Sequence, residues 1–187
     1  MKEHRVFDSY FMEIARPILE HSVYQQMRGI RHHRGSVFDH CVDVAYGAYL
    51  VGKKLGLDCR SIIRGGLLHD FYLYKYRRRE HHTAWAEGFR HSRLHPRVAL
   101  RNAETFFELN GTERDIIIHH MFPVGLPRSR EAWVVSVMDK ISAAAEYGGR
   151  AGAFASVYYR RLLRAGNRVI LRRSSGRPES LDFFKIY

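Results

Sequence analysis

Apolar residues recur at helical rather than strand spacing along nearly the whole chain. This spacing predicts a first helix over about Val6 to Met27, followed by a basic loop from Gly29 to Gly35. Ser36 and Asp39 then have the Ser-x-x-acid form of a capping box, so a second helix should begin there. Gly56 is the expected end of that helix, because glycine is common just past a helical C-terminus.

The pattern continues with a third helix from about Cys59 to Phe71. Residues 72–93 are rich in Tyr, Arg and His and are predicted to form a loop or a broken helix. His95-Pro96 should start the next helix, because proline is tolerated at the first helical position. That helix should run to Leu109 and end at Asn110-Gly111, which suits a left-handed C-cap.

Three further helices are predicted in the rest of the chain. Thr112 to Asp115 forms a second capping-box-like start, and the short helix that follows carries His119-His120. A proline-bracketed loop leads to a helix from about Ser129 to Tyr147, and a last helix is expected over about 151–164. The chain is therefore predicted to be an all-α, single-domain helical bundle over residues 1–187.

Composition supports one soluble domain. The 187 residues are 45% hydrophobic, which is enough for a core, and contain no run of about 18 apolar residues. The N-terminus lacks the apolar segment of a signal peptide, and there are only two cysteines. We therefore expect a cytoplasmic protein with reduced thiols. Cys41 follows His40 and could be a thiolate ligand, but a small buried helix residue is the favoured interpretation.

Positive charge is concentrated near the C-terminus. The net charge is +12, and the region 150–187 has nine basic residues against two acidic ones. A basic surface favours phosphate-bearing partners, which include nucleotides, nucleic acid and acidic proteins. A solvated helix face with a soluble tail explains the charge at least as well. No recognisable nucleic-acid-binding module accompanies it.

An ordered series of imidazoles and carboxylates runs through the middle of the chain. Its members are His40, His69, Asp70, His95, His119, His120 and Asp139. Such nitrogen and oxygen donors suit Mn, Fe, Ni, Co or Zn. His40 shares a helix face with Val37 and Val44, and Asp139 falls on an apolar turn. Because an unpaired buried charge is unfavourable by several kcal/mol, these positions indicate a metal site.

This series, with the sequence around each member, resembles the HD superfamily of metal-dependent phosphohydrolases. The stretches that carry the resemblance are Ser36–His40, Gly66–Asp70, His95-Pro96, Ile117–His120 and Met138–Ile141. It implies an all-helical core over about 34–147 and a basic C-terminal extension over about 150–187. It also implies a metal-dependent phosphohydrolase of a small phosphorylated compound, with nucleotides as the favoured class.

The resemblance also implies the ligand set. In the simplest members four residues hold one metal, and these match His40, His69, Asp70 and Asp139. A two-metal branch, which includes the HD-GYP phosphodiesterases, adds histidines that match His95, His119 and His120. Asp70 would then bridge two ions. Many relatives have one histidine where this chain has two, and that histidine is matched to His120, so the role of His119 stays open.

Two departures argue against a cyclic-dinucleotide phosphodiesterase of the HD-GYP type. The loop 121–127 lacks the Gly-Tyr-Pro element, and Leu73 stands where those proteins have a lysine. Neither departure changes the ligand series itself.

Roles for the remaining residues follow from the same resemblance and from position. The catalytic residues are expected to be Asp70, His69 and Lys140, and the substrate-binding residues His33, Lys75 and Arg97. Two alternatives stay open: a di-iron oxygenase that uses the same ligands, and a metal-stabilised module that binds nucleic acid through the basic C-terminal region. A homodimer is also open.

Overall fold

The described part of the chain is almost entirely helical. A computed structural model describes residues 7–32, 35–73, 84–147 and 157. These residues form α1 (Ser9–Leu19), α2 (Ser22–Gln25), a 3-10 helix (Gln26–Gly29), β1 (Arg31–His32), β2 (Gly35–Ser36), α3 (Val37–Leu55), α4 (Cys59–Leu68), α5 (Ala84–Phe106), α6 (Gly111–His119) and α7 (Arg130–Tyr147). The predicted all-α fold class is confirmed. Among these helices, none combines the length and apolar character needed to cross a bilayer.

Helix α4 lies at the centre of the bundle, between α3 and α6. A Cβ atom on Gly66 would lie 2.9 Å from the Cα of Ala45, so α3 and α4 approach closely at this point. A Cβ on Gly65 would lie 2.8 Å from Ile116 on α6. Helix α7 packs against both α3 and α6. The C-terminal end of α4 is therefore enclosed by three other helices.

The predicted limits of α3 are confirmed. Ser36 is its N-cap, and its side-chain oxygen accepts a hydrogen bond of 3.1 Å from the Asp39 N–H. Gly56 ends the helix in the left-handed conformation, with φ of 65°. A non-glycine residue adopts that conformation only with strain, which explains why the helix ends where the sequence indicated.

The first predicted helix is wrong in length. Helix α1 ends at Leu19, two residues after Pro17, whose missing N–H removes one helical hydrogen bond. The side-chain amide of Gln25 donates to the carbonyl of Leu19, and a separate short helix follows. The predicted basic loop contains a small hairpin, in which Arg31 pairs with Ser36.

The predicted start of the fourth long helix is also wrong. Helix α5 begins at Ala84, so part of the stretch expected to be irregular is helical and Pro96 lies inside a helix. In the part of α5 whose burial is described, residues 90–106, the buried residues are His95, Pro96, Ala99 and Ala103. Two of these are small and one is polar, so the chain shows no strong apolar stripe. Packing on α6 stabilises the helix where its own pattern does not.

The capping box before α6 is displaced by two residues from the predicted one. Asn110 is the N-cap, its side chain accepts from the Glu113 N–H at 2.8 Å, and Glu113 accepts from the Asn110 N–H at 3.2 Å. Asn110 therefore begins α6, whereas the sequence suggested that it ends the preceding helix. The helix expected at 151–164 lies outside the described residues except for Val157.

Candidate metal centre

The first group of converging side chains comes from α3, α4 and α7. His40 lies one turn into α3 and is 3% exposed, on the buried face that it shares with Val37 and Val44. Its Nε2 lies 3.1 Å from Oδ1 of Asp139 on α7. These two residues and His69 have ligand atoms that all lie within 4.8 Å of one another. Three helices thus direct two imidazoles and a carboxylate to one point.

His69 sits at the C-cap of α4 with a fixed ring orientation. Its Nδ1 lies 2.7 Å from the carbonyl oxygen of Gly66, and because a carbonyl only accepts, Nδ1 must carry the proton. In the neutral ring this leaves a lone pair on Nε2, which is fully buried and makes no hydrogen bond. Nε2 lies 3.8 Å from Asp70 Oδ2 and 4.0 Å from Asp139 Oδ1. These distances suit ligands around one ion at about 2 Å from each.

A second group is formed by His95 on α5 and His120, which follows α6. Their Nε2 atoms lie 2.9 Å apart. Each Nδ1 contacts a backbone carbonyl, that of His91 at 2.9 Å and that of Ile117 at 2.8 Å, so each Nδ1 is the donor. In the neutral rings two lone pairs then face each other at close range, which is repulsive. A cation held by both atoms would replace this repulsion with attraction.

Asp70 connects the two groups. Its Oδ2 faces His69 in the first group, while its Oδ1 lies 3.2 Å from Nε2 of His95 and 3.4 Å from Nε2 of His120. Oδ1 is buried and accepts no hydrogen bond. A buried carboxylate oxygen without a hydrogen bond is unfavourable by several kcal/mol unless a cation neutralises it. The buried Asp70 oxygen without a hydrogen bond therefore supports the binding of divalent ions, independently of the sequence motifs.

The electrostatics of the centre favour cations. Burial lowers the pKa of His69 to about 4 and that of His95 to about 3, so both rings are neutral at neutral pH. Burial would raise the pKa of Asp70 and of Asp139, but the neighbouring histidines outweigh it, and both carboxyl pKa values lie below their usual range. Two anionic carboxylates thus share a buried site with neutral imidazoles.

Lys140 lies at the edge of the centre and is partly exposed. Its Nζ is 3.0 Å from Asp139 Oδ2 and 3.0 Å from the carbonyl oxygen of His120. Ser136 donates to the same His120 carbonyl at 2.5 Å. These bonds fix the backbone at a ligand-bearing position. Lys140 is among the residues expected from the sequence, whereas Ser136 is not, although it lies three residues before Asp139 on the same buried face.

His119 does not join either group. Its ring is turned to Asp115, with Nδ1 2.7 Å from Oδ1. Asp115 also accepts from the N–H and the hydroxyl of Ser129, at 2.7 Å and 2.6 Å. The structure thus places His119 in a clamp that holds both ends of the loop between α6 and α7. From the sequence, Asp115 is expected only as part of a capping box, and its contacts with His119 and Ser129 were not predicted.

The three expected substrate-binding residues have different outcomes. Arg97 is exposed on α5, while His33 and Lys75 lie outside the described residues. Arg64 has a structural role, because its Nε contacts Glu113 at 2.7 Å.

Cys41 is a buried helix residue rather than a ligand. It is 0% exposed, and burial, together with the nearby charge of Asp70, raises the pKa of its thiol well above the ordinary value. It belongs to neither group of converging ligand atoms among the described residues.

Comparison with known families agrees with this geometry. The family model of the HD domain matches residues 37–144, which include all six converging ligand residues. The chain belongs to the HD domain family, whose members are metal-dependent hydrolases that bind divalent metals through His and Asp side chains. No curated protein and no solved structure gave a significant match.

Proposed function

We propose that this protein is a metal-dependent phosphohydrolase that acts on a small phosphorylated compound, with nucleotides as the favoured class. The observation that carries the proposal is the convergence of unpartnered donors: His69 Nε2 and Asp70 Oδ1 are buried without hydrogen bonds, and His95 and His120 oppose their lone pairs. Suitable metals for this mixed nitrogen and oxygen set are Fe, Mn, Ni, Co or Zn.

The proposed centre has two neighbouring metal subsites. His40, His69 and Asp139 form the first, and His95 and His120 form the second. Asp70 offers one oxygen to each, so its carboxylate bridges the two subsites. Two ions with four charges would outweigh the two carboxylates, and the net positive charge suits an anionic substrate.

Each residue then has a definite task. These donors would hold a divalent ion, which would lower the pKa of a coordinated water and neutralise charge that develops on phosphoryl oxygens. The carbonyl contacts of His69, His95 and His120 keep their Nε2 atoms aimed inward, and Asp70 sets the spacing between the subsites. Lys140 Nζ, partly exposed beside Asp139, offers positive charge to a phosphoryl oxygen at the edge of the site.

Elemental analysis of protein purified without added metal tests the ligand set. We expect about two ions per wild-type chain. His120→Gln should lose the second ion, whereas the matched variant His119→Gln should keep the wild-type metal content. The loss of metal in His119→Gln with its retention in His120→Gln would show that the subsites are wrongly assigned.

Phosphate release from a panel of nucleotides in the presence of Mn²⁺ or Fe²⁺ tests the activity. Asp70→Asn should abolish turnover and retain helical content, because it removes charge from both subsites without changing size. If Asp70→Asn hydrolyses phosphate esters as wild type does, the proposal is wrong. The di-iron oxygenase alternative predicts oxygen consumption that depends on bound iron, with no phosphate release from any substrate in the panel.

A further inference from the structure

A polar groove borders the proposed metal centre on its α5 side. It has a volume of about 430 Å³ and lies between α5 and the loop that follows α6. Two of its lining residues, Pro96 and Met121, directly follow the proposed ligands His95 and His120. The groove is therefore next to the second metal subsite.

Positive charge is concentrated along one side of the groove. Arg93 and Arg97 line it and are exposed, one helical turn apart on α5. Like charges at this spacing repel each other by about 0.2–0.5 kcal/mol within a helix, and an anion bound beside them would relieve that repulsion. Arg97 forms no ion pair with any described residue, whereas Arg114 on α6 pairs with Glu104, near the C-terminal end of α5, at 2.8 Å. A guanidinium in this position is available for an anionic ligand.

The opposite side of the groove has a fixed imidazole. His119 lines the groove, and its Nδ1 contacts Asp115, which is itself held by the N–H groups of Arg128 and Ser129. These donors engage the carboxylate of Asp115, which forms no ion pair with Arg97. With Nδ1 bonded to Asp115, Nε2 of the neutral His119 ring is left as a hydrogen-bond acceptor for a ligand hydroxyl.

We propose that this groove binds a second phosphate group of the substrate, next to the phosphate that lies at the metals. Arg97, with Arg93, binds the phosphate, and His119 Nε2 accepts from a neighbouring hydroxyl. The assignment rests on the proposed phosphohydrolase function and narrows its substrate to small molecules with at least two phosphate groups. It also gives His119 a role other than metal binding.

Binding of pyrophosphate to metal-free protein tests the groove without any turnover. Calorimetry in the presence of a chelator should show that Arg97→Gln binds pyrophosphate at least tenfold more weakly than wild type. Arg101→Gln is the matched control, because Arg101 is exposed one turn further along α5 and does not line the groove. It should bind within twofold of wild type. Equal weakening by both variants, or no binding by wild type, would overturn the proposal.

Kinetics of the metal-loaded enzyme provide the second measurement. Arg97→Gln should raise KM at least tenfold for nucleoside diphosphates and leave KM for para-nitrophenyl phosphate, which has one phosphate, within twofold. An equal rise in KM for both compounds would overturn the groove assignment. Absence of hydrolysis of every compound by wild type would instead refute the phosphohydrolase function, and the pyrophosphate comparison would still decide whether the groove binds anions.

Discussion

The close approach of α3 and α4 at Gly66 should control both stability and metal binding. In Gly66→Ala the new methyl group would lie 2.9 Å from Ala45 Cα and 3.1 Å from Ala45 Cβ. Carbon atoms prefer separations of about 3.5–4.0 Å, so the two helices must separate by roughly 0.5–1 Å. The first contact is backbone, which cannot rotate away as a side chain could.

The size of the effect follows from two opposing terms. Overpacking of this kind destabilises by about 1–3 kcal/mol, while replacing glycine by alanine inside a helix stabilises by about 1 kcal/mol. The two terms partly cancel, so we expect the free energy of unfolding of metal-free protein to fall by at most about 2 kcal/mol. His69 lies three residues after Gly66 and donates to its carbonyl, so the same movement shifts His69 relative to His40 and Asp139. Metal ligands must be held within about 0.5 Å of their correct positions, so metal affinity should fall at least tenfold.

Urea denaturation of metal-free protein measures the first quantity, and titration with Mn²⁺ measures the second. Gly56→Ala is the control, because Gly56 has φ of 65° and no heavy atom lies within 4 Å of the position that an added Cβ would take. It should lose about 1–2 kcal/mol through backbone strain alone and bind metal as wild type does. The reasoning is refuted if Gly66→Ala matches wild type in metal affinity, or if Gly56→Ala loses as much affinity as Gly66→Ala.

Three further predictions concern stability. Removal of metal by a chelator should lower the midpoint temperature of thermal unfolding. Metal restored to 100 times its dissociation constant should raise the free energy of unfolding by about 2.7 kcal/mol. Differential scanning calorimetry at several metal concentrations measures both effects. Asn110→Ala should reduce the free energy of unfolding by about 1 kcal/mol, because it removes the capping box with Glu113. Its metal content should equal that of wild type, and a changed metal content would contradict the prediction. Lys53 helps to hold the pKa of Asp8 below its ordinary value of 3.8 despite partial burial, so the stability that Asp8 contributes is present above that value and is lost as pH falls through the folded-state pKa. Asp8→Asn keeps a residue suited to the N-cap, and its deficit in urea midpoint should be larger at pH 7 than at pH 2.5; an equal deficit at both would show that the charge has no part in it.

Local features of the sequence determined where a helix begins and ends when its capping residues are close in sequence. Ser36 and Gly56 set the limits of α3, because a cap and a left-handed glycine act within a few residues. The burial of His40 was predictable for the same reason, since helical spacing places it on the same helix face as Val37 and Val44. The order of donors along the chain also indicated the family.

Only the tertiary structure decided which atoms meet. His40 and Asp139 are 99 residues apart in sequence, and no local pattern fixes the 3.1 Å between them. His119 and His120 are adjacent and chemically identical, yet one ring is held by Asp115 and the other faces His95. Such outcomes depend on how closely whole helices approach, and that distance is set by contacts between residues far apart in sequence.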